Sequence, residues 1–170
     1  KTELVPEERE RIERQPTNSP EAYALYLRVT AFLQEHGLGV GGSRELHSTA
    51  LAFLGQAIEI DPDFAAAYVL RARVNIYRLN FDPGAREGFA SQRQELEGIV
   101  LRDLEKALAL DSSIGAAHMA LALVHQYNWR LSDTRKAFEK AFELSPNDPD
   151  ILSNYSSFSA YTGQHAKAIQ

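Results

Sequence analysis

The chain has 170 residues, 44% apolar and 24% charged, with a net charge of −5 and no cysteine. That length and apolar content suffice for one domain with a continuous core, while disulfides and thiolate metal sites are excluded. Lys and Arg are scattered rather than striped, which argues against a nucleic-acid footprint, and no apolar run approaches the roughly 18 to 20 residues of a membrane-spanning helix.

In chain order, residues 1–15 read as a charged helix with Pro6 in its first turn and Glu7 and Glu8 beside the positive end of the helix dipole. Only Leu4, Val5 and Ile12 can pack, so the segment is expected to be a linker or capping helix. Its carboxylates Glu7, Glu8, Glu10 and Glu13 interleave with Arg9, Arg11 and Arg14, the pattern of a solvated face and not of an acid and base pair held in different environments. Ser19 followed by Pro20 caps and opens the next helix. The run Gly37-Leu-Gly-Val-Gly-Gly-Ser43 reads as a flexible tip; a phosphate loop would need a strand before it and Gly-Lys-Ser/Thr after it. Ala57-Ile-Glu-Ile-Asp-Pro62 then ends a helix. From Ala65 a further helix leads into Leu79 to Gly88, where Pro83-Gly84 marks a turn, and Ser91 with Gln94 forms a capping-box signature for a long helix through Leu110. Asp148 caps the helix that Pro149 opens, and Gly163-Gln-His-Ala-Lys-Ala-Ile169 reads as a turn into one more helix. The start at Lys1 and the stop within that last helix suggest a piece of a longer polypeptide.

Three phrases repeat along this path: Ala57 to Pro62, Ala-Leu-Ala-Leu-Asp-Ser at 107 to 112, and Ala-Phe-Glu-Leu-Ser-Pro at 141 to 146, the last two 34 residues apart. This period, and the residues that fill it, resemble the tetratricopeptide repeat, a helix–turn–helix unit that buries its apolar face only by stacking on neighbours. That pattern places an aromatic at repeat position 4, a large residue at 7, small residues at 8, 20 and 27, a bulky one at 24 and Pro at 32. Gly115 to Asp148 holds His118, Leu121, Ala122, Thr134, Phe138, Ala141 and Pro146 in those slots, and the incomplete fourth repeat holds Leu152, Tyr155, Ser156, Gly163 and Ala168. The implied fold is all-α, a right-handed superhelix of antiparallel helix pairs over residues 16–170, with repeats at about 20–62, 65–112, 115–146 and 149–170. The first two repeats carry long insertions between their helices A and B, with 43 residues from Pro20 to Pro62 and 48 from Ala65 to Ser112 where 32 are expected. Leu27 at position 8 of the first repeat, Arg71 and Asn75 at the usually apolar positions 7 and 11 of the second, and Ser112 in place of Pro depart from the pattern.

The resemblance implies a concave groove lined by helix A positions 2, 5, 6, 9, 12 and 13. Counting from the start of each repeat puts an aromatic at every position 13: Phe32, Tyr77, Tyr127 and Tyr161. Arg28 and Arg73 fall at position 9, Met119 and Leu123 in the middle, and Ser153, Asn154 and Ser157 toward the C-terminal end. A partner peptide or helix with acidic and apolar side chains is expected along Arg28, Phe32, Arg73, Tyr77, Met119, Leu123, Tyr127, Asn154 and Tyr161, since Tyr and Arg dominate interface hot spots. The alternative is that the aromatic rings pack beneath the two insertions or against helix A of the next repeat. The Lys/Asn clamp with which some tetratricopeptide domains hold a chaperone tail is missing, with Ala24, Arg28 and Leu70 in the corresponding slots. His118 and His125, near Trp129, lie two turns apart, too far for one ion without a third ligand, and at repeat positions 4 and 11 read as core histidines; no metal, cofactor or catalytic motif is expected.

The stretches Pro20-Glu-Ala-Tyr-Ala-Leu-Tyr-Leu-Arg28 and Lys136-Ala-Phe-Glu-Lys-Ala-Phe-Glu-Leu-Ser-Pro-Asn147 also resemble the tetratricopeptide tails of bacterial class III adenylate cyclase-like proteins and winged-helix transcriptional regulators. That likeness implies a non-catalytic interaction scaffold in a larger bacterial signalling or regulatory protein; the absence of cysteine does not decide between a reducing and an oxidising compartment, so the cytoplasm is a default beside the periplasm. The second reading is a self-association module, a homodimer formed through the incomplete fourth repeat around Tyr155, Phe158 and Ile169.

Overall fold

The computed structural model describes residues 16–36, 44–81 and 90–163, which form seven helices. These are α1 (Pro20–His36), α2 (Arg44–Ile60), α3 (Ala65–Phe81), α4 (Ala90–Leu110), α5 (Gly115–Tyr127), α6 (Leu131–Leu144) and α7 (Pro149–Tyr161). Consecutive helices pack as antiparallel pairs α1–α2, α3–α4 and α5–α6, and the pairs stack with α3, α5 and α7 side by side. The expected charged helix over residues 1–15, the Gly37–Ser43 tip, the Pro83-Gly84 turn and the residues after Gly163 lie outside the described residues.

The repeated phrases stop the second helix of each pair in one way. The amide of Asp61 donates to the Ala57 carbonyl at 2.9 Å, Asp111 to Ala107 at 2.8 Å and Ser145 to Ala141 at 3.0 Å. Asp61 and Asp111 then accept from the amides two residues on, at 3.0 and 2.9 Å, forming side-chain turns that reverse the chain. At the next helix starts, Ser19 accepts from the Ala22 amide at 3.2 Å, and Asp148 accepts from Asp150 and Ile151. These bonds satisfy amides that a helix start leaves without partners.

The extra residues of the first two repeats go largely into longer helices. Helices α1 to α4 run 17 to 21 residues, against 13 or 14 in α5, α6 and α7. Helix α3 continues through Leu79 to Phe81, where the sequence pattern suggested the insertion had begun, and α4 starts at Ala90, one residue ahead of the expected Ser91 cap.

Each second helix carries a buried triplet spaced i, i+4, i+7: Ala50, Leu54 and Ala57; Val100, Leu104 and Ala107; Thr134, Phe138 and Ala141. That spacing keeps all three on one helical face, with Ala last in every triplet so that the partner backbone can approach. At Gly115 the approach is close enough that a Cβ there would lie 2.7 Å from Ser145 Oγ and 3.1 Å from the Ala141 carbonyl oxygen.

The irregular second repeat is held by a polar bridge. Arg71 on α3 donates from Nε and Nη2 to the two carboxylate oxygens of the buried Asp103 on α4, at 2.8 and 2.6 Å, and stacks over Tyr68. The hydrogen bond to Asp103 raises the Arg71 pKa, against the opposing effect of burial. Asn75, also buried, accepts from Arg78 at 3.1 Å. Both departures at positions 7 and 11 therefore face partners within the helix pair and leave its apolar seam intact.

After α5 the chain turns through Trp129, whose φ of 56° is left-handed. Arg130 N–H donates to the His125 carbonyl and Trp129 N–H to that of Gln126, the bonding pattern of a helix-ending motif that normally has Gly at the left-handed position. The Trp129 side chain is 74% exposed, so packing does not offset that backbone strain.

Candidate partner-binding groove

Helices α3 and α1 differ in rotation. Along α3 the buried residues Val69, Ala72, Ile76 and Leu79 step by three, four and three, and pack against α4 and α5. Along α1 the same stepping falls on Ala22, Leu25, Val29 and Phe32, which pack into the first core with Leu54, Ala57 and Phe64. Counting from Pro20 and Ala65 places those two sets two residues out of step, about 200° of rotation on a helix. Position 8 of the sequence register, Leu27, is consequently 45% exposed, and the small-residue requirement does not apply to it.

This rotation decides what meets Arg73. A depression of about 370 Å³ is lined by Thr30, Leu33 and Gln34 of α1, Leu70, Arg73 and Tyr77 of α3, and Asp150 of α7. Burial raises the phenol pKa of Tyr26, one turn before Thr30, and the Arg73 guanidinium opposes that rise. Arg73 Nη2 donates to Asp150 Oδ2 at 2.6 Å, joining α3 to α7 across α5, which touches both.

The nine residues expected along the groove separate into three groups. Arg73 and Tyr77 share the depression. Leu123 is half-buried between the second and third cores, Asn154 donates to the Asp150 carbonyl at 2.7 Å, and Tyr127 and Tyr161 are 41% and 68% exposed. Burial raises the Tyr127 pKa, nearby Tyr77 adds to the rise and Arg93 opposes it; Tyr127 lies beside Asn80, Arg93 and Asn128 in a separate small crevice.

The third group stands elsewhere. Met119 is buried with Phe138, Ile151 and Phe158, with the Asn154 amide 3.9 Å from its sulfur, so it supports the surface from beneath. Arg28 lies 4.4 Å over the Phe53 ring of α2 and borders a different depression, between α1 and α2, with Glu21 and Glu59. Phe32 packs into the first core. The rotation of α1 puts Tyr26 and Thr30 where the repeat count placed Arg28 and Phe32. Sequence counting also passed over Asp150, which occupies position 2 of the fourth repeat, a groove slot in the same register. His118 closes a loop against the Ser112 carbonyl at 3.3 Å.

No known protein family profile matches the chain, and no curated protein sequence does. The fold is that of tetratricopeptide solenoids. The first tetratricopeptide domain of human RPAP3 is 15% identical, with 87% of this chain and 97% of that one covered at a TM-score of 0.58. The first such domain of Spaghetti (RPAP3), bound to the HSP90 peptide SRMEEVD, is 16% identical, with 86% and 99% covered and a TM-score of 0.58. The Sgt2 domain from Aspergillus fumigatus is 16% identical, with 92% and 89% covered and again a TM-score of 0.58. No helix among the described residues is long and apolar enough to cross a membrane.

Proposed function

We propose that this segment is a protein-binding scaffold in which a peptide or helix with acidic and apolar side chains lies along the face formed by α1, α3 and α7. The observation that carries this reading is the depression in which a cation, a phenol and an apolar side chain of α3, Arg73, Tyr77 and Leu70, face Leu33 of α1. An aromatic and an arginine in a partly desolvated hollow are the usual anchors of a hot spot. The Spaghetti neighbour, bound to a peptide, supports peptide binding on this fold, while the acidic preference rests on Arg73, since the Lys/Asn clamp for a chaperone tail is missing. On this reading Leu123, Tyr127, Asn154 and Tyr161 extend the surface toward the C-terminal end. The segment would serve as the non-catalytic, cytoplasmic part of a larger bacterial signalling or regulatory protein, in keeping with the resemblance of its first and third repeats to such tails.

The test is to pan a phage-displayed library of random twelve-residue peptides on the protein and measure the selected peptides by fluorescence polarisation. Tyr77→Ala is expected to weaken them about tenfold or more with the helical circular-dichroism signal unchanged. Peptides indifferent to Tyr77→Ala would refute this site. The alternative, self-association through the last repeat, does not use Phe158 as expected, since it is buried in the third core with Tyr155 packed against it, and Ile169 lies outside the described residues; Phe142, Leu152 and Tyr161, exposed on the last two described helices, favour it instead. It predicts a dimer in light scattering that Leu152→Glu with Phe142→Glu dissociates and Tyr77→Ala leaves intact.

A further inference from the structure

The Arg73–Asp150 contact has the chemistry of a bound ligand. Resting on the groove reading above, we infer that Asp150 is an internal competitor that occupies a carboxylate subsite at Arg73, so that an acidic side chain of the partner binds by displacing it.

Three observations carry this. The first is geometric: a carboxylate oxygen already sits 2.6 Å from Arg73 Nη2 inside the depression, so the guanidinium is aimed for a carboxylate. The second is the asymmetry of exposure. The Arg73 side chain is 22% exposed, whereas that of Asp150 is 56% exposed, so the arginine belongs to the wall and the aspartate to the rim. An ion pair with one partner largely in water contributes little to stability and exchanges readily. The third is the contrast with Arg71 on the same helix, gripped through two nitrogens by Asp103, whose side chain is only 6% exposed. One arginine is locked to its neighbouring helix by two bonds, and the other is held by one across the groove.

Asp150 can leave without unfolding its helix. The start of α7 is capped by Asp148, which accepts from the amides of Asp150 and Ile151, and the Asp150 side chain takes no part in that cap. Displacement would therefore free the Asp150 carboxylate to water while a ligand carboxylate takes its place on Arg73, leaving the count of ion pairs unchanged. Because the contact joins the second repeat to the fourth, the groove would be self-occupied at rest and its acidic selectivity partly masked.

The experiment pans the same phage-displayed twelve-residue library on wild type, Asp150→Ala and Arg73→Gln, then compares a selected acidic peptide with its Glu→Gln and Asp→Asn twin by fluorescence polarisation. The wild type is expected to select acidic peptides and to prefer the acidic twin. Asp150→Ala should bind the acidic twin about three- to fivefold tighter and the neutral twin unchanged, Asp150→Glu should behave as wild type, and Arg73→Gln should bind both twins alike. Equal or weaker binding of the acidic twin by Asp150→Ala would overturn the inference. Selected peptides that depend on Tyr77 but show no acidic preference would overturn it while leaving the groove reading standing, and peptides independent of Tyr77 would remove both.

Discussion

Helices α1 and α3 have the same length, open their respective repeats and meet at the same depression, yet α3 is packed by α4 and α5 on one side and by α1 and α2 on the other, while α1 is packed on one side only among the described residues. Only part of a repeat register is therefore set by packing. A helix with neighbours on both sides has two faces to satisfy, so small residues such as Ala72 are required where a backbone approaches, and rotation is fixed. A helix with one packed side settles by its apolar stripe alone, and in α1 that stripe runs through Ala22, Leu25, Val29 and Phe32. Pro20 marks where that helix can begin, because a first-turn proline lacks only an amide that would be unpaired; it does not mark which face turns inward.

The sharpest way to break this picture is through the bridge inside the second pair. Asp103→Ala leaves Arg71 partly buried without its carboxylate and should cost about 3 kcal/mol in urea unfolding, whereas Asp150→Ala should cost less than about 1 kcal/mol. Equal losses would mean that the two arginines are held alike. The register itself is tested by a pair of substitutions at the nominal position 8. Ala72→Leu should destabilise by about 1 to 3 kcal/mol through overpacking, and Leu27→Ala should stay within about 0.5 kcal/mol; a large loss at Leu27 would contradict the rotation of α1. At the left-handed turn, Trp129→Gly should raise stability by about 1 kcal/mol, read as a higher urea midpoint with the same slope. A pH series gives the smallest effect. The raised Tyr26 pKa means that its burial contributes fully below the ordinary tyrosine value near 10 and is lost as pH rises through the higher folded value, so Tyr26→Phe should flatten the alkaline decline in stability.

Much of the third repeat is legible in the sequence because local and tertiary demands agree there. Ala122, Thr134, Phe138 and Ala141 occupy the slots the pattern gives them, and all are buried. The polar intruders Arg71 and Asn75 were visible as departures, but their partners were not, since Asp103 lies 32 residues away and nothing local pairs it with Arg71. The long helix through Leu110 was legible from its capping-box signature, whereas the extra turns of α1, α2 and α3 were not, because the glycines of the first insertion and Pro83-Gly84 in the second draw attention to loops. The groove was the least legible part. Tyr77 in its depression follows from the count, as does Tyr127 in its separate crevice, while Arg28 and Phe32 depended on a rotation that only the packing of α1 sets, and Asp150 gave no signal beyond its slot.

The most direct measurement is the affinity of one library-selected peptide for Arg73→Ala and Arg28→Ala, side by side with the wild type. The rotated register predicts that Arg73→Ala loses about tenfold or more and that Arg28→Ala, stacked on Phe53 away from the depression, binds as the wild type does. Loss of binding in Arg28→Ala with Arg73→Ala unaffected would contradict it and return the groove to the face counted from Pro20.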